Sequence, residues 1–337
     1  MASLFATSRE RAAGVRGFPT ARGYPAPVPS FDIKRRMNDD DIAQVSELLE
    51  AAERADGSRP LSDHLWLDLR MGGREGFAGF IATEEGHEHI VGYSQISRGN
   101  DSWLVDMVVH PHHRYDTTLL GPQLMKIALQ TVAAEGGGHV HWWVFEPNQF
   151  HRSLAENFGL HEGRTLLQMR RHLPLEPALA QLGDDLQTTS FSHDRDEEAW
   201  LVVNNAAFAT HPEQGAWDAQ TLRSRYHEPW FEDDSIRLHH IDGALAGFCW
   251  TKIHPHSDPL MGEIYVIAVH PDYVGRGLGT ALTAAGLNHM ANLGAEVAML
   301  FVDADNSAAL SSYERLGFTR HHRERAFVGD VPPSLMA

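Results

Sequence analysis

The chain has 337 residues, 42% of them hydrophobic and 22% charged, with a formal net charge of −17 and one cysteine, Cys249. That length accommodates two ordinary domains, and the acidic balance argues against nucleic acid or an anionic membrane as partner. A lone cysteine excludes an intrachain disulfide framework and points to a reducing, cytoplasmic compartment; no apolar run reaches the roughly 18 residues that span a bilayer.

Residues 1–30 carry arginine, proline and glycine without an apolar core, and are expected to be a disordered leader. The first half then predicts a strand over 31–36, a helix over 40–54 and strands over 76–82 and 89–97. An apolar strand follows, running into His110-Pro-His-His-Arg114. A strand over 139–145, a helix over 149–157 and a strand over 166–172 complete it. Residues 172–188 have the Pro and Gly/Asp content of a linker, which separates a domain at 31–175 from one at 188–337. The second half predicts a strand over 188–192, a helix over 197–208 and strands over 236–241 and 246–253. After the apolar strand 263–269 come a glycine turn and a helix, a strand over 297–302, a helix over 307–315 and a strand over 319–328.

The two halves repeat each other. Met107-Val-Val-His-Pro matches Ile267-Ala-Val-His-Pro, Val144-Phe-Glu-Pro-Asn148 matches Val302-Asp-Ala-Asp-Asn306, and Glu156-Asn-Phe-Gly-Leu160 matches Glu314-Arg-Leu-Gly-Phe318. An offset near 160 residues throughout indicates two copies of one mixed α/β (α+β) domain in tandem. The 22 histidines include the groups His110/His112/His113, His239/His240 and His321/His322. Neighbouring residues on a strand point to opposite faces, and no Cys-x-x-Cys or His-Glu-x-x-His frame accompanies them. No metal site is expected.

Val274-Gly-Arg-Gly-Leu-Gly279 carries the most chemistry. It follows an apolar strand and opens an Ala/Leu-rich helix, so its backbone can approach an anion and the first helical N–H groups point at it. Glu263, upstream on the strand, is placed to act as a base, and Tyr313, on the last helix, as an acid. The first half has Trp103 and Ala155 at the matching places. Its turn keeps one glycine before Pro122, which has no N–H to offer a phosphate.

The pattern His-Pro-x-x-x-x-Arg-Gly-Leu-Gly, then Asp-Asn-x-x-Ala-x-x-x-Tyr-x-x-x-Gly-Phe, resembles the GCN5-related N-acetyltransferase (GNAT) superfamily. The strings Val203-Asn-Asn-Ala-Ala-Phe-Ala-Thr-His-Pro-Glu-Gln-Gly-Ala-Trp217, Trp250-Thr-Lys-Ile-His-Pro255 and Gly262-Glu-Ile-Tyr-Val266 resemble the mycothiol synthase family within it. The likeness is dense over 190–328 and thinner over 31–172. It implies two tandem GNAT-type acetyltransferase domains, the first catalytically silent. It also implies transfer of acetyl from acetyl-CoA to the cysteinyl amine of Cys-GlcN-Ins (1D-myo-inositol 2-(L-cysteinylamino)-2-deoxy-D-glucopyranoside), giving mycothiol, in a monomer that needs no metal.

By the same resemblance Glu263 and Tyr313 are catalytic, and a backbone N–H of Ile267, Ala268 or Val269 stabilises the oxyanion. Acetyl-CoA is held by those three residues, by Val274, Gly275, Arg276, Gly277, Leu278, Gly279 and Thr280, and by Asn306, Ser307, Ala308, Ala309, Leu310 and Ser311. Met107, Val108 and Val109 are the corresponding strand of the first half. The amine substrate falls to Asp63, Glu213, Lys252, Glu263 and Phe301. Val274 departs from the family's usual Gln or Arg, and Ser311 from its usual Arg. Two other readings are a tandem acetyltransferase acting on a different small amine and a non-catalytic acyl-CoA-binding module. The loss of Glu263 and Tyr313 from one copy beside their retention in the other speaks against the second.

Overall fold

A computed structural model describes residues 29–334 apart from 58–59, 85, 87–88, 100, 115–119 and 210–215. The first half runs β1 (Ser30–Lys34), α1 (Asp39–Asp56), α2 (Asp63–Arg70), β2 (Phe77–Thr83), β3 (Gly92–Arg98), β4 (Ser102–Val109), α3 (Leu120–Ala134), β5 (Gly138–Phe145), α4 (Gln149–Asn157) and β6 (His161–His172). After α5 (Pro177–Asp184) the second half repeats the series as β7 (Thr189–Ser190), α6 (His193–Ala207), α7 (Ala219–Tyr226), β8 (Ile236–Ile241), β9 (Ala244–His254), β10 (Met261–Val269), α8 (Leu278–Asn292), β11 (Val297–Asp303), α9 (Ser307–Arg315) and β12 (Thr319–Val331).

Local chemistry sets several of these ends. Asn38 and Asp41 form a capping box at the start of α1, with Asn38 Oδ1 accepting the Asp41 N–H at 2.8 Å and Asp41 Oδ2 the Asn38 N–H at 3.1 Å. Gly57, at φ 69°, ends the helix in the left-handed conformation. The expected linker contains a helix instead: α5 lies on α8 so closely that a Cβ on Gly183 would stand 2.5 Å from the Ala285 nitrogen. The Pro and Gly/Asp content of this stretch made it resemble a connector.

All twelve strands form one sheet in the order β1-β2-β3-β4-β5-β12-β6-β11-β10-β9-β8-β7. The last strands of the two halves are exchanged. β12 pairs antiparallel with β5 of the first half, β6 pairs antiparallel with β11 of the second, and β6 and β12 pair with each other at the seam. Each half buries apolar side chains on both faces of its part of the sheet. In the first half Leu124, Met125 and Trp142 mark one core and Val45, Leu65 and Tyr93 the other. In the second half Leu282, Leu287 and Leu316 face Trp200, Phe248 and Trp250 across the sheet.

Candidate active site

β10 is paired on both sides only at its beginning. Met261–Ile264 run parallel to Val297–Leu300 of β11, and the ladder stops there. On the other side β9 stays antiparallel to the end, with Ile267, Ala268 and Val269 opposite Cys249, Phe248 and Gly247. Between Ile264 and Val266 the register slips by one, so Tyr265 is an extra residue in a bulge. Bulges bend a strand and re-aim its side chains. Here the bend coincides with the divergence of β10 from β11, and it leaves backbone at Ile267–Val269 facing the widening gap.

Glu263 lies just before the bulge and is 9% exposed. Its Oε2 stands 2.8 Å from His254 Nε2, a partner contributed by the end of β9. The pair holds the carboxylate in one orientation at the strand opening. Its cross-strand neighbour is Lys252, 3% exposed. The Lys252 ammonium lies 4.6 Å from the Trp230 ring centroid and 5.2 Å from that of Tyr265, and cation–π attraction of this kind offsets part of its desolvation.

Tyr313 enters from α9 and is packed among Leu310, Leu316 and Phe318. Burial, and after it the Cys249 thiol, push its phenol well above the ordinary range. It therefore holds its proton at neutral pH. Thr280 Oγ1, in the first turn of α8, donates to Ser312 Oγ at 3.4 Å, which ties the glycine turn to the helix bearing Tyr313.

The turn itself fits an anion. Gly275 and Gly277 have φ of 83° and 78°, Gly277 begins α8 in the left-handed region, and no side chain caps the helix. A Cβ at Gly275, Gly277 or Gly279 would meet nothing within 4 Å, so conformation rather than crowding requires the first two. Val274 donates its own N–H to the Pro271 carbonyl; its side chain is exposed, and the cradle's donors begin at Gly275. Arg276 stacks over Tyr273, 5.1 Å from the ring centroid.

A cavity of about 290 Å³ opens beside His254 and is lined from both halves, by Trp66 and Arg70 of α2 and by Arg225, Trp230, Lys252 and Tyr265. Arg70 and Glu228 bridge the halves at 3.6 Å. Asp63 is the first residue of α2, but its side chain lies outside the described residues, as does all of Glu213. Phe301 is 38% exposed although its neighbours Leu300 and Val302 are buried, as a side chain at the β10/β11 opening would be. Asn306 caps α9 through its Oδ1 and the Ala309 N–H at 3.1 Å. Ser307, Ala308 and Ser311 lie on that helix's exposed side. The sequence reading missed His254, Trp230 and Arg70. His254 was legible as a partner of Glu263 only once the β9/β10 register was known.

The first half differs at each of these points. Counted back from the matched His110 and His270, the bulge displaces the alignment by one. In the sheet the counterpart of Glu263 is Leu104, opposite Ser97 and His141, whereas Glu263 is opposite Lys252 and Met299. This corrects the match to Trp103, whose buried indole N–H donates to the Gly137 carbonyl at 3.1 Å. Ala155 is fully enclosed. Met107, counterpart of Ile267, gives its N–H to Asp106 Oδ1 at 2.8 Å, and burial pushes that carboxyl well up.

The Acetyltransferase (GNAT) family pattern matches residues 198–318. The chain is 40% identical to a mycothiol acetyltransferase of Thermobispora bispora over 86% of its own length and 96% of that protein's. It is 39% identical to one of Streptomyces griseus over 88% and 95%. Among solved structures it is similar in fold to a GCN5-related N-acetyltransferase from Sphaerobacter thermophilus, with a TM-score of 0.67 at 20% identity over 90% of this chain and 97% of that one. A tandem GNAT protein from the clavulanic acid biosynthesis pathway gives a TM-score of 0.64 at 18% identity, over 91% of this chain and all of the other.

Proposed function

The chain belongs to the mycothiol acetyltransferase family, and from that premise we propose that its second half is the catalytic half and works through Glu263 and Tyr313. The reaction is acetyl transfer from acetyl-CoA to the cysteinyl amine of Cys-GlcN-Ins. The first half completes the amine-substrate cleft and performs no chemistry.

The observation that carries this assignment of roles is the buried Glu263–His254 pair at the point where β10 leaves β11. An α-amine has a pKa of about 7.7–8.0, so a large share is charged at neutral pH and must lose a proton before it attacks. Glu263 accepts that proton, directly or through a water, while His254 fixes its orientation. Acetyl-CoA supplies the thioester carbonyl, and the residues fit it. The Gly275–Thr280 backbone and Arg276 suit its pyrophosphate, the unpaired edge of Ile267–Val269 suits the extended arm, and Asn306–Ser311 flank that arm. A backbone N–H at Ile267–Val269 stabilises charge developing on the carbonyl oxygen, a contribution typically of about 3 kcal/mol. Tyr313 keeps its proton until the departing thiolate takes it. Lys252, Glu213, Phe301 and Asp63 contact the hydroxyl-rich amine substrate.

Incubation with acetyl-CoA and Cys-GlcN-Ins, followed by mass spectrometry, tests the reading, with an N-acetylated product as the expected result. No product above the enzyme-free control would remove the substrate assignment. Faster acetylation of another small amine would replace it.

A further inference from the structure

The His-Pro turns that close β4 and β10 differ in their surroundings. After β4, His110 and His113 stand on the turn, and His89 reaches them from the connection between β2 and β3. The His89 and His110 ring centroids are 4.3 Å apart, and His113 is 5.8 Å from each. One nitrogen from each ring lies within 4.8 Å of the other two. Nitrogens at about 2.0–2.1 Å from a tetrahedral zinc are about 3.3–3.4 Å from one another, so modest side-chain rotations close the difference.

The setting favours a cation. Glu84 Oε2 lies 3.5 Å from His113 Nδ1, in reach to orient that ring or to serve as a further oxygen ligand. Arg114, which follows His113, is neutralised by Asp56, whose two carboxylate oxygens accept from its guanidinium at 2.6 and 2.8 Å. The His112 N–H donated to His110 Nδ1 competes for one of these nitrogens, and at 3.3 Å it is long enough to yield. Among the described residues the second half has no such cluster: His270 remains, but Tyr273 replaces His113. By the Gly92/Gly247 register Ala244 stands where His89 does. The β8–β9 connection is a two-residue turn, Asp242–Gly243, whereas the β2–β3 connection spans 84–91 and carries the third imidazole with it.

We propose that His89, His110 and His113 bind one divalent first-row transition-metal ion, zinc in the first instance, as a clamp between the β2–β3 connection and the loop after β4. Three imidazoles suit zinc, nickel or copper far better than magnesium or calcium, which take oxygen ligands. The site lies in the half that carries no chemistry and stands independently of the proposed reaction.

The test uses the full chain without a polyhistidine tag, stripped of metal and titrated with Zn²⁺ against a chromophoric chelator. A parallel titration uses Co²⁺, read by visible absorption. One Zn²⁺ per chain and d–d bands of a low-symmetry nitrogen site are expected. His89→Ala should weaken Zn²⁺ binding by more than about tenfold and remove the bands. His112→Ala, whose ring lies beside His110 but outside the trio, should retain both. If His89→Ala does not fold by circular dichroism, His110→Gln takes its place. Absence of stoichiometric binding, or equal binding in the His89 and His112 variants, would overturn the proposal.

Discussion

β4 and β10 occupy the same place in the two halves, each between an antiparallel and a parallel neighbour, yet β10 is longer by one residue. In β4 the ladder with β3 is unbroken from Trp103 to Val109, and the side chain at the register position of Glu263 is Leu104, packed against the apolar cluster around Leu65. In β10 the extra residue, Tyr265, bends the strand, and Glu263 at that position meets His254. Leu104 is half-buried, with Ser97 and His141 as its cross-strand neighbours and no carboxylate or lysine at that register. Around Glu263 there are an imidazole, a buried lysine and a cavity shared with the other half. A duplicated fold thus separates two properties that single-domain enzymes combine. The pleat and core are common to both copies, while the bulge and the polar pair belong to one.

The largest test of this contrast is Glu263→Gln, which should lower kcat by about 10²–10⁴ with folding intact. Placing a carboxylate at the other copy, Leu104→Glu, should restore nothing in that background, and recovered turnover would break the comparison. Next comes Tyr313→Phe, with a fall in kcat on the order of 10². Burial raises the Tyr313 phenol above its ordinary value of about 10. The acid is therefore still protonated where a free tyrosine would begin to ionise, and the wild-type profile should show no alkaline limb from it below about pH 10. Smaller again is Arg70→Ala, which tests the first half's share in the cleft. The KM for the amine should rise roughly threefold to tenfold with kcat little changed, and a matching fall in kcat would mean that α2 acts on the transition state.

The smallest effect concerns Asp106. Its folded pKa is raised by burial, so the native state holds that proton more tightly than the unfolded chain does. Its contribution is favourable below the unfolded value of about 3.9 and declines as pH rises toward the folded one. Asp106→Asn retains an oxygen for the Met107 N–H and removes the titration. At pH 8 thermal unfolding should move up by about 1–2 °C, the scale of roughly 1 kcal/mol in a protein of this size, and kcat should stay unchanged.

Much of this architecture was legible in the residues. Gln149–Asn157, Ile236–Ile241 and Ser307–Arg315 have the predicted bounds because their apolar periodicity and caps agree. α2 and α7 went unrecognised, being eight-residue helices whose apolar positions are too few to fix a period. The glycine turn announced itself through Gly275 and Gly277. The bulge did not: a one-residue slip leaves no mark in composition, and it moved the alignment from Trp103 to Leu104. Nor did adjacent-residue logic find the histidine trio. It compared His110, His112 and His113 with one another, and the decisive ring, His89, comes from a different connection.

The exchange of last strands has a consequence for the order of synthesis. The edge of β5 is complete when residue 145 has been made, but its native partner ends at residue 331. At roughly 5–20 residues per second, that edge waits on the order of 10–40 s. β6 emerges long before β12 and must be kept from closing on β5, since β12 has to lie between them. The N-terminal copy, although first off the ribosome, is finished last.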